Sequence, residues 1–316
     1  MRDCVISEIV KYARKDKRIM LLTGDLGYNV TEIFAEQYPD RYINCGIAEE
    51  NMISVAAGLA MEGNKVFVYS LGNFPTLRCM EQLRNDVCYH QADVKIISVG
   101  GGFSYGSLGM SHHATEDIGA MRILPYMQVY TPADPVEAES VLNEAYEYQG
   151  PGYIRLARGR DPYLHKEQLY KSIGLLQPFE TNETERFDAV IITAGTILEE
   201  GIKAVKLLRE TNLKVGLFSC PRIKPMDIDG IREIALKTRV IITVEEHNVI
   251  GGLGGAIAEV LSSLPEHAVL LRTGLEDSYT EVVGSGDFLR RYYGIDSEHI
   301  AWRIQEYFQF MGKKEL

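Results

Sequence analysis

CGIAEENMISVAAGLAMEG, residues 45–63, sets two adjacent carboxylates, Glu49 and Glu50, between an apolar run and an alanine-rich helix pattern. Tyr42, Ile43, Cys45 and Ile47 lead in as a β-prone run. Met52, Ile53, Ala56, Leu59 and Ala60 follow at helical spacing. A strand thus hands over to a helix within a few residues, and both are apolar enough to be buried. Acids in a first helical turn favour the macrodipole, which accounts for the pair without chemistry. Burial asks more of them: a carboxylate withdrawn from water must be paired, protonated or used.

The same alternation runs along the chain. Strand candidates are IMLLT (19–23), YINCGI (42–47), KVFVYS (65–70), VKIISVG (94–100), MQVYT (127–131) and GYIRLA (152–157). Helical patterns such as 77–91 and 134–148 lie between them. Short apolar strands alternating with helices predict a mainly parallel sheet covered on both faces. A polar stretch at roughly 161–187, containing ETNETERFD, reads as a linker. The alternation restarts with AVIITAG (189–195), KVGLFS (214–219), VIITVEE (240–246) and AVLLRTG (268–274). The expected fold class is α/β, two doubly wound domains with mainly parallel sheets, at 1–163 and 187–316 around a linker at 164–186.

Composition narrows the function classes. The 316 residues are 46% hydrophobic and 24% charged, which suits two globular domains with real cores. A net charge of −11 without a basic run argues against nucleic acid and against a polybasic membrane contact. No stretch approaches the ~20 apolar residues of a spanning helix, and MRDCVISEIVKYARKDKR reads as an amphipathic helix, not a signal peptide. Five scattered cysteines, Cys4, Cys45, Cys79, Cys88 and Cys220, lack zinc-like spacing and point to reduced thiols in a cytoplasmic protein.

Ligands of open α/β sheets sit beyond the carboxyl ends of the strands. The segments there are GDLGYN (24–29), GIAEEN (46–51), LGNFPTLR (71–78), GGGFSYGSLGMSHHATED (100–117), TPAD (131–134) and ARGRDP (157–162), all in the first domain. GFSYG matches the nucleophile elbow and offers Ser104, but no helical apolar face follows it. GGLGGA (251–256) has Ile257 where a dinucleotide loop needs its third glycine, and no phosphate-cradling G-x-x-x-x-G-K-[ST] occurs. His112, His113, Glu116 and Asp117 could be metal ligands, yet adjacent histidines rarely face one ion and no second cluster has suitable spacing. The expected cleft is therefore acidic and apolar, rimmed by Arg155, Arg158 and Arg160 with His112 opposite. Guanidinium forks at a strand end suit a phosphate.

Taken in order, these segments resemble the pyrimidine-binding half of transketolases and deoxyxylulose-phosphate synthases, both thiamine-diphosphate enzymes. GIAEENM…AAGLA resembles the family's G-I-x-E segment, and MSHHATEDIGAMRILPYMQVYTPAD its histidine-to-proline-acid segment. YIRLARG resembles the arginine-bearing segment, and TVEEHNVIGGLGGAIAE the signature of the third domain. The likeness spans nearly the whole chain.

The resemblance implies roles. The coenzyme supplies the carbanion chemistry and the protein supplies orientation and electrostatics. Glu49 matches the glutamate that bonds the aminopyrimidine ring nitrogen, so that the exocyclic amino group can act as an imine and take the thiazolium proton. Glu50 is then structural. Phe74 matches an aromatic stacked on the pyrimidine, with Tyr69 as a second, and Asp25 an acid near the coenzyme. His112 matches a histidine facing the reacting carbons, Arg158 an arginine binding substrate phosphate, and Arg2 a second one.

Two departures stand out. Leu108 occupies the place of an acid that reads substrate hydroxyls, and Gly100 or Gly101 that of a phosphate-binding histidine. These departures put aldopentose-phosphate exchange in its usual form in question, and the loss of a hydroxyl-reading acid fits a deoxy or otherwise altered sugar, or a smaller acyl donor. The family's magnesium-holding G-D-G…N pattern is missing from these residues too, GDL (24–26) and GDF (286–288) being the nearest strings. The resemblance thus implies the second subunit of a split enzyme moving a two-carbon unit between sugar phosphates. Magnesium and diphosphate would be held by an N-terminal-half partner, with a dimer of this chain inside a two-plus-two heterotetramer. The alternatives are acyl transfer of the deoxyxylulose-phosphate synthase or 2-oxo-acid dehydrogenase kind, a Ser104 hydrolase, and a non-catalytic binding subunit.

Overall fold

The computed structural model describes residues 1–159, 161–165, 177–180 and 186–312. Strands β1 (Ile19–Thr23), β2 (Tyr42–Asn44), β3 (Lys65–Leu71), β4 (Val94–Val99), β5 (Gln128–Tyr130) and β6 (Gly152–Leu156) form a parallel sheet in the order β5-β6-β4-β3-β1-β2. Its central strands β3, β4 and β6 are buried on both faces, which explains their largely apolar runs, whereas the edge strand β2 is partly exposed. Neighbouring residues divide between the faces at the strand period of two: Val66 and Val68 enter one core while Phe67 and Tyr69 enter the other. The helix Glu49–Met61 buries Met52, Ile53 and Ala56 as expected from their spacing, together with Ala57, while Leu59 and Ala60 are only partly buried.

Two strands depart from the expectation. Part of the stretch read as a linker is a strand, β7 (Gln177–Glu180), which precedes β8 (Phe187–Ala194), β9 (Val215–Ser219), β10 (Arg222–Lys224), β11 (Thr238–Asn248) and β12 (Val269–Leu275). The second sheet runs β12-β11-β8-β9-β7, with β7 antiparallel to β9 at its edge. Pro178 is tolerated there because an edge strand need not donate on both sides. β10 leaves its own domain and pairs antiparallel with β5 of the first sheet.

That crossover fixes how the domains meet. The Thr131 amide donates to the Pro221 carbonyl at 2.8 Å, and the Gly195 amide donates to the Thr131 carbonyl at 3.1 Å. One hydrophobic core holds Ile118 and Met121 of the first domain together with Ile192, Ile241 and Leu253 of the second. Asp134, in the proline-acid turn, is fully buried and serves structure: it caps the helix Pro135–Glu147 and accepts the Leu164 and His165 amides at 2.9 and 2.8 Å.

Candidate functional site

The strand order β2-β1-β3-β4-β6 lays five carboxyl ends side by side. The chain leaves β1 toward β2 and β3 toward β4, in opposite directions, so a crevice opens between β1 and β3. Glu49 enters from the turn after β2. Its carboxylate is 2% exposed and accepts from Arg78 Nη1 at 2.6 Å through Oε2. Its Oε1 faces the turn after β1, where a Cβ added to Gly24 would lie 3.5 Å away. Glu50, next in the chain, is exposed. Asp25, at φ +54°, is also exposed and held by Asn44: Nδ2 donates to its carboxylate at 3.0 Å, and Oδ1 accepts its amide at 3.0 Å.

Phe74, half-buried in the turn after β3, carries the Arg78 guanidinium over its ring, Cζ 4.5 Å from the centroid. The imidazole of His112 meets the same ring edge-on at 5.6 Å. Tyr105 lies 6.2 Å beyond His112, and its ring in turn bears the guanidinium of Arg158, Cζ 4.8 Å from the centroid. Six side chains from four loops thus form one line: Glu49, Arg78, Phe74, His112, Tyr105, Arg158. Arg2, in the first turn of the helix Arg2–Lys15, faces both Tyr69 and Tyr105. Burial holds the Tyr69 phenol well above its ordinary value, with Arg2 opposing. The Tyr69 ring also lies against the turn after β1, where a Cβ added to Gly27 would come 3.0 Å from its Cε1.

One expectation needs correction. Arg155 is no rim residue: it is 6% exposed, pairs through Nε with Asp117 at 2.7 Å, and donates through Nη2 to the Ala114 and Glu246 carbonyls. It lies within β6 and not beyond it, so it bolts the domains together. Arg160 lies outside the described residues. His113 is buried between Thr280 (2.7 Å) and the Gly106 carbonyl (3.0 Å), and Asp117 is spent on Arg155, so neither stands with His112 as a metal ligand. No cluster of three metal-ligating side chains occurs among the described residues. Ser104 donates to the Gly101 carbonyl at 2.8 Å, and the chain then enters a short 3-10 turn at Gly106–Leu108 where a nucleophile elbow needs a helix. The helix after GGLGG already has its anion, since Glu245 accepts the Leu253 and Gly254 amides at 2.6 and 2.8 Å.

Sequence reasoning passes over Arg78 and Tyr105. Arg78 closes the quoted segment 71–78, four residues after Phe74, a spacing at which side chains on a turn of helix meet. Tyr105 shows in the sequence only as the fourth letter of the elbow-like string.

Comparison with known proteins agrees with this fold. Residues 1–161 match the transketolase pyrimidine-binding domain, and residues 181–300 the transketolase C-terminal domain. The chain is 38% identical over 303 residues to a putative transketolase C-terminal section of Methanocaldococcus jannaschii, covering 94% of this chain and 93% of that one. It is 34% identical over 305 residues to an apulose-4-phosphate transketolase subunit of Phocaeicola vulgatus, covering 95% and 94%. Among solved structures, a split gene transketolase described as an inactive β4 tetramer superposes with a TM-score of 0.84 at 32% identity, covering 96% of each chain. With both domain families matched in order, and relatives of the same length, the chain belongs to the transketolase family and carries its pyrimidine-binding and C-terminal domains.

Proposed function

We propose that this chain is the pyrimidine-binding subunit of a split, thiamine-diphosphate-dependent transketolase, transferring a two-carbon ketol unit between sugar phosphates. The observation that carries the reading is the single line from a buried carboxylate, past a half-buried aromatic and an imidazole, to an arginine. When bound, thiamine diphosphate supplies the nucleophilic carbon and the electron sink. The residues fit its pyrimidine end: Glu49 is withdrawn from water with one oxygen toward the bare Gly24 turn, and Phe74 offers a ring for stacking. Glu49 holds a proton at the ring nitrogen. Arg78 keeps that carboxylate in place, His112 exchanges protons with substrate oxygens, and Arg158, assisted by Arg2, binds the phosphate.

Magnesium and the diphosphate are assigned to a partner chain, with two copies of each chain in the assembly, in the cytoplasm. Asp25 and Tyr28 in the segment after β1 and Ile47 in the turn after β2 are exposed, a surface suited to a second chain. The relative described as an inactive β4 tetramer supports inactivity without such a partner. No helix among the described residues is long and apolar enough to cross a membrane.

A second reading, acyl transfer from a 2-oxo acid, draws support from Leu108, half exposed where the family resemblance expects an acid. Release of carbon dioxide from pyruvate by the assembled complex would favour it over ketol transfer.

The phosphate assignment is tested at Arg158. It lies two residues past the end of β6, close enough for the strand to anchor its backbone, while its side chain is exposed. A charge-assisted hydrogen bond contributes about 1.5–3 kcal/mol, or roughly ten- to a hundredfold in affinity. Arg158→Ala should raise KM for a phosphorylated substrate by about that factor and hardly change it for the dephosphorylated analogue. Equal losses for the matched pair would mean that the phosphate is held elsewhere.

A further inference from the structure

We propose that Tyr105 determines which sugar phosphates fit, its ring filling the space between the His112 and Arg158 ends of the site; this rests on the ketol-transfer reading above. A Cβ built on Gly100 would come 2.3 Å from Tyr105 Cε2 and 2.4 Å from Cδ2. Gly100 also sits at φ +107°, which side chains with a Cβ rarely adopt. Glycine and tyrosine are thus one unit, and the ring takes the volume that a side chain at the end of β4 would otherwise hold. The same ring meets the His112 imidazole at 6.2 Å, tilted by 57°, and carries Arg158 on its face.

A substrate with its reacting carbons at His112 and its phosphate at Arg158 must therefore run along this ring. Burial raises the phenol above its ordinary value, with Arg158 and Arg2 pulling the other way. It stays a neutral hydroxyl near neutral pH and does not compete with phosphate for the arginines. Leu108, whose amide donates to the Tyr105 carbonyl at 2.8 Å, extends the wall in apolar form. Such a wall limits chain length, because each added CHOH unit needs room as well as partners for its hydroxyl.

The test uses the assembled complex with two donors that differ by one CHOH unit, D-xylulose 5-phosphate and D-fructose 6-phosphate, and a common aldose phosphate acceptor. Wild type should prefer the five-carbon donor. Tyr105→Ala should raise the six- to five-carbon ratio of kcat/KM by about tenfold or more, chiefly through KM, whereas Tyr105→Phe should keep it within about threefold of wild type. Calorimetric binding of the same two compounds to the complex without coenzyme should shift in the same direction. That readout separates the two proposals: a shifted binding ratio without any ketol transfer would overturn the reaction and uphold the role of Tyr105. An unchanged ratio in Tyr105→Ala, with both donors losing equally, would reduce the ring to a support for the Gly100 turn. A Phe variant shifted as far as Ala would assign the selection to the hydroxyl. Either result overturns the proposal.

Discussion

Glu49→Gln should lower turnover of the assembled complex by roughly 100- to 10,000-fold while leaving its melting temperature nearly unchanged. The amide has the size of the carboxylate, and its carbonyl oxygen can still accept the Arg78 hydrogen bond seen at 2.6 Å. Arg78 is 42% exposed, so water covers its lost counter-charge and the stability cost stays small. What the amide cannot do is hold a proton in common with a ring nitrogen. Glu50→Gln, one residue on and exposed, should cost little. Comparable losses in the two variants, or a fully active Glu49→Gln, would reject the assignment.

The largest effect on stability is expected at the domain junction. Asp117 is 0% exposed and Arg155 6%, and their 2.7 Å pair is held inside protein on all sides. Tyr153 donates to the same carboxylate oxygen, while Arg155 Nη2 reaches the Glu246 carbonyl at the end of β11. Removing one partner leaves a buried charge uncompensated, which typically costs about 3–5 kcal/mol. For a protein of 316 residues that corresponds to a fall in melting temperature of roughly 5–8 °C. Asp117→Asn is the cleaner variant, since it removes the charge with little change of shape and leaves the carbonyl bonds of Arg155 in place. A fall of only a degree or two would mean that water reaches the pair, and that the shared hydrophobic core alone joins the domains.

These residues also mark what the sequence can and cannot reveal. Runs such as Val66–Tyr69 are legible as buried strands because every residue is apolar, and the site loops follow from the strand-end rule. Glu49 is legible because an acid at the mouth of an alanine-rich helix demands a reason. β7 and β10 leave no such trace: each is an edge strand of three or four residues, held by backbone pairing more than by apolar patterning. Arg155 is misjudged from sequence because its partner Asp117 lies 38 residues away, and nothing local separates a buried arginine from one at a rim. Arg78 meets Glu49 across 29 residues, out of sight for the same reason. Tyr105 takes its place in the site only through the three-dimensional closeness of its ring to Gly100.

The central claim is that this chain holds half of a shared coenzyme site, and titration of thiamine diphosphate with millimolar magnesium tests it most directly. The chain alone should give no saturable binding and no ketol transfer. Adding a diphosphate-binding partner chain should create stoichiometric binding and turnover together, both reaching a plateau at one partner per chain. Tight stoichiometric binding or turnover by the lone chain would contradict the account.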